Sequence, residues 1–428
     1  MGGAFSEMST VAANGFARWD GESWASLGAG PGTEVYMLHA SADGLYVSSK
    51  GSLGTDSTAS LIARWNGLNW STLGRGTGLG ANYVVSAVAV AGSDVYVAGY
   101  FSQVGGIRAN NIARWDGKQW LSLGVGPENG DNSLVTSLAV IGGDLVVGGW
   151  FSHAGTGAHR YIARWDGKRW HGMGDQPDEI VTALAFGGGN LYVGGCFTRV
   201  GTLPANRIAA WKDGQWRSVG AGSSNGTSGN VLALAASDAE VFVAGEFLSA
   251  CGQPARRVAR WDGQRWSALG SPGLEGVNRV VLALALRGND LYVGGTITSA
   301  GGIPVRRLAH WNGVEWNSVG PIGGVNGVSP HVVKALAITD GGLYVGGGVR
   351  PGRRCQQRPC GEMGWIALGL AGGGVGPTGS IVQALASDGA GVYVGGFFGT
   401  VGNGLVSSHL ARWTETADSV FSDGLEGL

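Results

Sequence analysis

An all-β fold made of repeats is what this sequence predicts, and three observations predict it. A tryptophan following Ala-Arg, or its equivalent, returns at Trp19, Trp65, Trp115, Trp165, Trp211, Trp261, Trp311 and Trp413. The gaps are 46, 50, 50, 46, 50, 50 and 102 residues, the last spanning two repeats with a degraded copy between them. A second tryptophan returns at Trp24, Trp70, Trp120, Trp170, Trp216, Trp266, Trp316 and Trp365, so the pairs use sixteen of the 17 tryptophans. The 82 glycines follow no Gly-X-Y period, which excludes collagen and implies many turns and close backbone approaches. No segment has a helical apolar period. Four short strands per repeat at this period match the blade of a β-propeller.

The stretch 280–320 shows each element in order. Val280–Leu286 is an apolar first strand, and Arg287-Gly288-Asn289-Asp290 is a turn. Leu291–Ile297, interrupted by Gly294-Gly295, is the second strand, and residues 298–307 read as a loop. Leu308–Trp311 is the third strand and Trp316–Val319 the fourth. Asn312-Gly313 between them has the residues a type I′ hairpin turn prefers. The glycine pair admits a neighbouring backbone or indole face where a β-carbon would clash. Aromatics of the third and fourth strands would fill the wedge between blades, each burying roughly 200 Å². First strands begin near 35, 84, 134, 180, 231, 280, 332 and 381, which predicts eight blades, with seven the alternative.

Residues 16–28 supply a third and fourth strand without a first, and 381–398 supply a first and second. Joining them would close the ring from both termini, although Leu410–Trp413 competes with Phe16–Trp19 for one slot. Residues 1–413 are thus expected to form a single domain, followed by a flexible, acidic tail at 414–428.

A diglycine ending the second strand, followed by a tryptophan pair flanking a short turn, resembles the kelch repeat and the central domain of galactose oxidase. The wording "ARWDGxxW" after "LYVGG" is most similar to repeats of secreted bacterial proteins of unknown role. The resemblance covers about residues 2–413 and implies fold far more than function, because propellers of this type include enzymes, adhesins and scaffolds. Kelch repeats usually carry a tyrosine and a longer spacer where this chain has tryptophan and four intervening residues. The strings "DGKQW" and "DGKRW" are similar to the tryptophan-docking motif of quinoprotein dehydrogenases, with shorter spacing and without adjacent cysteines or a calcium-site signal.

Composition narrows the partners. A net charge of −1 gives no pull toward nucleic acid or acidic membranes, and no apolar run is long enough to cross a bilayer. The opening residues lack a secretory leader yet begin inside a second strand, so an upstream segment carrying one is expected to be missing. With a tail similar to Phe-x-Asp-Gly ends of exported proteins, the expected location is secreted or cell-surface. Four cysteines make no disulfide scaffold. Cys355 and Cys360 could close a small loop, and Cys196 and Cys251, in neighbouring repeats, could meet; free or buried thiols are the alternative.

In an up-and-down meander the connections after the second and fourth strands share one face. Here they are the long, variable ones, such as 124–133, 220–230 and 320–330, so that face is expected to bind. The position after the diglycine breaks the repeat most sharply, carrying Lys50, Tyr100, Trp150, Cys196, Glu246, Thr296 and Phe397 while the next residue is usually Phe. Tyr100, Trp150 and Phe397 could stack on a sugar ring or peptide side chain, with Lys50, Glu246 and nearby His153 adding polar contacts; capping the wedge is the bland alternative.

Arginines recur at the end of the loop after the second strand. They could bind carboxylated or sulfated glycan or, more simply, pair with the "WDG" aspartates. Arg350, Arg353 and Arg354 lie in the degraded repeat without a nearby acid, and are expected ligand contacts. Known catalytic motifs, metal spacings and cofactor fingerprints are absent, so no catalytic residue, metal or cofactor is expected. The expectation is a non-enzymatic propeller binding an extracellular glycan or protein. The alternatives are a polysaccharide-active or quinoprotein-type enzyme, and a surface-assembly protein that binds copies of itself.

Overall fold

The computed structural model describes residues 81–92, 94–127 and 133–319 in full. Beyond them it describes the backbone of further strands and a few side chains between Val332 and Leu343. Every regular element among the described residues is a strand.

Five four-stranded antiparallel sheets follow one another along the chain. Sheet I is Val85–Ala91, Asp94–Gly99, Ile112–Trp115 and Trp120–Ser122. Sheet II is Leu134–Ile141, Asp144–Trp150, Ile162–Trp165 and Trp170–His171. Sheet III is Val181–Gly187, Asn190–Gly195, Ile208–Lys212 and Gln215–Ser218. Sheet IV is Val231–Ala236, Val241–Gly245, Val258–Trp261 and Trp266–Ala268. Sheet V is Val281–Arg287, Asp290–Gly295, Leu308–Trp311 and Trp316–Ser318. In each, strands pair in chain order, and the first strand lies beside the first strand of the next sheet.

The core sits between sheets. One buried cluster joins Tyr96 and Leu123 of sheet I to Val135, Trp165 and Trp170 of sheet II, and another joins Phe242 of sheet IV to Trp311 and Trp316 of sheet V. A single sheet cannot bury its own apolar faces, so neighbours on both sides are required. This arrangement is that of a β-propeller.

The tryptophan pair makes the outer seam. The two indoles of each hairpin lie tilted with centroids 5.1–5.5 Å apart. The second indole N–H then reaches back to the preceding sheet: Trp170 donates to the Leu123 carbonyl at 2.8 Å, Trp216 to Met173 at 2.8 Å, Trp266 to Val219 at 3.1 Å and Trp316 to Leu269 at 2.9 Å. A buried indole N–H is thereby satisfied while its ring fills the wedge.

The inner seam depends on a β-bulge near the start of every first strand, where register shifts at Ser86, Thr136, Thr182, Leu232 and Leu282. The Ser86 hydroxyl donates to the Val135 carbonyl at 2.6 Å, and that of Thr136 donates to Val181 at 2.8 Å, tying each sheet to the next. Opposite the bulge stands the second glycine of the diglycine. A Cβ on Gly149 would lie 2.2 Å from the Leu134 carbonyl oxygen.

Three expectations are corrected. Residues 298–307 are more than a loop: Ser299–Ala300 and Ile303–Pro304 form a small hairpin, with counterparts at 103–108, 199–204 and 249–254. Asn312-Gly313 is no type I′ turn, because Gly313 alone has positive φ (+93°). Asn312 instead accepts the N–H groups of Val314 (2.9 Å) and Glu315 (2.8 Å), as a side chain that mimics a backbone turn. In sheet III the dipeptide is shifted by one residue, and Asp213 (φ +52°) and Gly214 (φ +78°) together meet the type I′ requirement. Finally, Ala17–Trp19 pairs with Gly342–Gly348 (Arg18 opposite Tyr344), not with Gly391–Phe397. Ala411–Thr414 pairs with Gly391–Phe397 and takes that slot, which removes the competition between the two segments.

Candidate functional site

The face built from the connections after the second and fourth strands is assembled from the repeat itself. Each small hairpin is anchored by one polar residue of the connection that precedes its sheet. Asn82 accepts from the N–H groups of Ser102 (2.9 Å) and Gln103 (3.0 Å). Asp178 does the same for Thr198 and Arg199, Ser228 for Leu248 and Ser249, and Asn278 for Thr298 and Ser299. The residue before the third strand closes the other side in the left-handed region: Asn111 (φ +61°), Tyr161 (+65°), Arg207 (+66°), Arg257 (+67°) and Arg307 (+68°).

Those last arginines are structural. Arg207 donates to the carbonyls of Cys196 (2.8 Å) and Phe197 (3.2 Å), Arg257 to Glu246 (3.2 Å), and Arg307 to Thr296 (3.0 Å) and Ile297 (3.3 Å). Burial first, then the charge of Arg279, pushes the pKa of Arg307 down. The expected pairing of "WDG" aspartates with these arginines is not the arrangement found. Asp116, Asp166 and Asp262 accept backbone N–H groups of their own turns. The acid partners belong to a different arginine, that of "ARW": Arg114 with Asp94 (3.0 Å), Arg164 with Asp144 and Arg260 with Glu240.

After the diglycine, exposure alternates. Phe101, Phe151, Phe197, Phe247 and Ile297 are buried, while Tyr100 (37% exposed), Trp150 (43%) and Glu246 before them reach solvent. Tyr83 (49% exposed) meets the Tyr100 ring edge-on at 5.0 Å and 86°. Tyr83 was not singled out from sequence. The usable signal was variability: its counterparts are Ser133, Glu179, Gly229 and Arg279, two residues ahead of a constant valine.

Around the face the rim is aromatic in sheets I and II and acidic in III and IV, with Glu179 and Glu246. Asn230 donates to the Glu246 carboxylate at 3.2 Å. Burial, with Glu179 adding to it, pushes the Cys196 thiol up. Thr296 follows in sheet V. His153 is exposed, its Nδ1 2.8 Å from the Ser152 hydroxyl. Burial, then the neighbouring His171 and His153, lowers the pKa of His159.

Cys196 and Cys251 are both free thiols, the alternative to the bond that their place in neighbouring repeats allowed. Cys196 directly follows the second strand of sheet III, whereas Cys251 sits in the turn of the next sheet's hairpin with its thiol 3.6 Å from the Ala221 carbonyl. Lys50 and Phe397 hold the register position of Trp150, opposite Glu34 and Ile381, but their side chains lie outside the described residues. Arg350, Arg353, Arg354, Cys355 and Cys360 also lie outside them. Among the described residues no cluster of three or more His, Cys, Asp or Glu could hold a metal ion, and no helix is long and apolar enough to cross a membrane.

No protein-family model matches the chain, and no curated protein does. Solved structures do. The chain is similar to YCF48 bound to D1 peptide, at 12% identity and TM-score 0.48, over 95% of this chain and 99% of that one. It is also similar to the computationally designed Ika8 protein (16% identity, TM-score 0.40, 76% of this chain and 99% of that one). A third is the extracellular domain of the one component system BT4673 from B. thetaiotaomicron (12% identity, TM-score 0.36, 92% of this chain and 39% of that one).

Proposed function

We propose that this chain is a non-enzymatic binding propeller of the kelch-like type, secreted or displayed at the cell surface. Its ligand, an extracellular glycan or protein, would be recognised on the long-loop face. The observation that carries this reading is the run of exposed aromatic rings: Tyr100 and Trp150, at the variable position after the diglycine of consecutive sheets, and Tyr83, which meets Tyr100 from the connection before its sheet. Rigid rings held by a buried Phe neighbour lose little entropy on binding, and a flat ring offers its face to a sugar or a peptide side chain. The domain would run over 1–413 with eight blades. Pairing of Ala17–Trp19 with Gly342–Gly348 supports a ring in which the residues 17–25 complete the sheet begun at Val332.

Glycan-array and cell-surface binding of the whole chain should give a signal that falls at least tenfold in Trp150→Ala with Tyr100→Ala. Retention of full binding in that double variant would remove these rings from the site. Self-association without any ligand would favour the assembly reading.

A further inference from the structure

A cleft lies in the seam between sheets II and III. Every second strand but one places an aromatic residue at the same register: Tyr46, Tyr96, Tyr192, Phe242, Tyr292, Tyr344 and Tyr393. In sheet II the position is Val146. The ladder sets this residue opposite the "ARW" arginine or its replacement, Tyr96 against Arg114, Phe242 against Arg260, Tyr292 against His310 and Val146 against Arg164. In sheet V the two rings stack at 4.6 Å and 14°. The aromatic also belongs to the seam: Tyr96 shares a buried cluster with Trp165 of the next sheet, and Phe242 with Trp311.

At the II–III seam the ring is missing, and a cleft of 310 Å³ stands there. It is lined by Ile141, Asp144, Val146, Arg164, Met173 and Trp211. Asp144 follows the turn between the first and second strands of sheet II, and Gly214, also on the wall, belongs to the turn between the third and fourth strands of sheet III. Asp144 and Gly214 thus set one end of the cleft at the short turns, and Gly172, Met173 and Gly174, just after the fourth strand of sheet II, line it further along the seam. A cavity half this size admits benzene when its walls are apolar. Here the apolar walls are joined by an ion pair, Arg164 donating to the Asp144 carboxylate.

We propose that this cleft binds a small monocyclic phenol, which restores the ring that the other second strands supply from their own sequence. The ring would lie on the Arg164 guanidinium and against the Trp211 indole, and its hydroxyl would donate to Asp144. Its lining includes none of Tyr83, Tyr100 and Trp150.

The experiment is calorimetric titration of the whole chain with p-cresol, with 4-methylcyclohexanol as the saturated control. Binding of p-cresol at one site is expected, with at least tenfold weaker binding of the control. Val146→Tyr and the less polar Val146→Phe, each checked by circular dichroism, should weaken p-cresol at least tenfold and raise the melting temperature. Tyr96→Val should create a second site at the I–II seam and raise the stoichiometry from one toward two. Absence of saturable binding, equal binding of the control, unchanged binding in both Val146 variants, or loss in Trp150→Ala alone would each overturn the assignment.

Discussion

The two glycines that end each second strand look alike in sequence and do different work. A Cβ on the first, at Gly148, would meet the Val181 side chain of the next sheet at 2.5 Å, a neighbour that can move. The chain itself demonstrates this, because Ala98 and Ala244 occupy the same place in sheets I and IV. A Cβ on the second, at Gly149, would meet the Leu134 backbone at 2.2 Å, and the bulge holds that backbone fixed. Gly149→Ala should therefore cost about 1–3 kcal/mol, with a clearly smaller loss for Gly148→Ala, as read from the midpoints of denaturant unfolding. Equal losses would mean that the bulge yields as readily as a side chain. The residue scale is also where sequence reading fell short. Trp150 stood out because it broke a pattern of tryptophans, whereas Tyr83 sat in a connection whose partner, Tyr100, is revealed only by folding.

Among the elements, the outer hairpin was placed correctly by its tryptophans, but its turn was misread. Asp-Gly and Asn-Gly satisfy two turn geometries, and the choice rests on whether the acidic residue enters the turn or precedes it. Where it precedes, the carboxylate accepts two N–H groups: Arg265 (2.8 Å) and Gln264 (2.9 Å) bond Asp262. Those bonds, with Arg265 first, hold the Asp262 carboxyl below its usual range. A carboxylate whose pKa is depressed on folding adds stability above its unfolded value and loses it as pH falls through the folded one. Asp262→Asn keeps the two acceptor bonds, as Asn312 shows. Its melting temperature should fall below the parent at pH 7, where the charge adds to the two bonds, and the difference should close below about pH 4, where the parent carboxyl is neutral too. A variant that matches the parent at pH 7 would show that acceptance alone, rather than charge, holds the turn. The small hairpins at 103–108 and its counterparts were invisible in the sequence, since two-residue strands carry no alternation and are fixed by a side chain some twenty positions earlier.

For the whole molecule, the period and the strand count foretold the propeller, because one tryptophan pair per repeat can be buried only by a neighbour. Where the ends join could not be read, because 16–28 fits any sheet that lacks its outer hairpin. The register places Ala17 opposite Val345, and Ala411 opposite Val394. Ala17→Cys with Val345→Cys should crosslink under mild oxidation, while Ala17→Cys with Val394→Cys should not; the reverse result would restore the pairing expected from sequence. The fourth-strand indoles carry one more consequence. Each reaches back to the sheet made before it, so a polypeptide leaving the ribosome seals every joint only once the following module has emerged. At each stage of synthesis the newest sheet therefore presents an outer joint that stays unsealed until the next one folds against it.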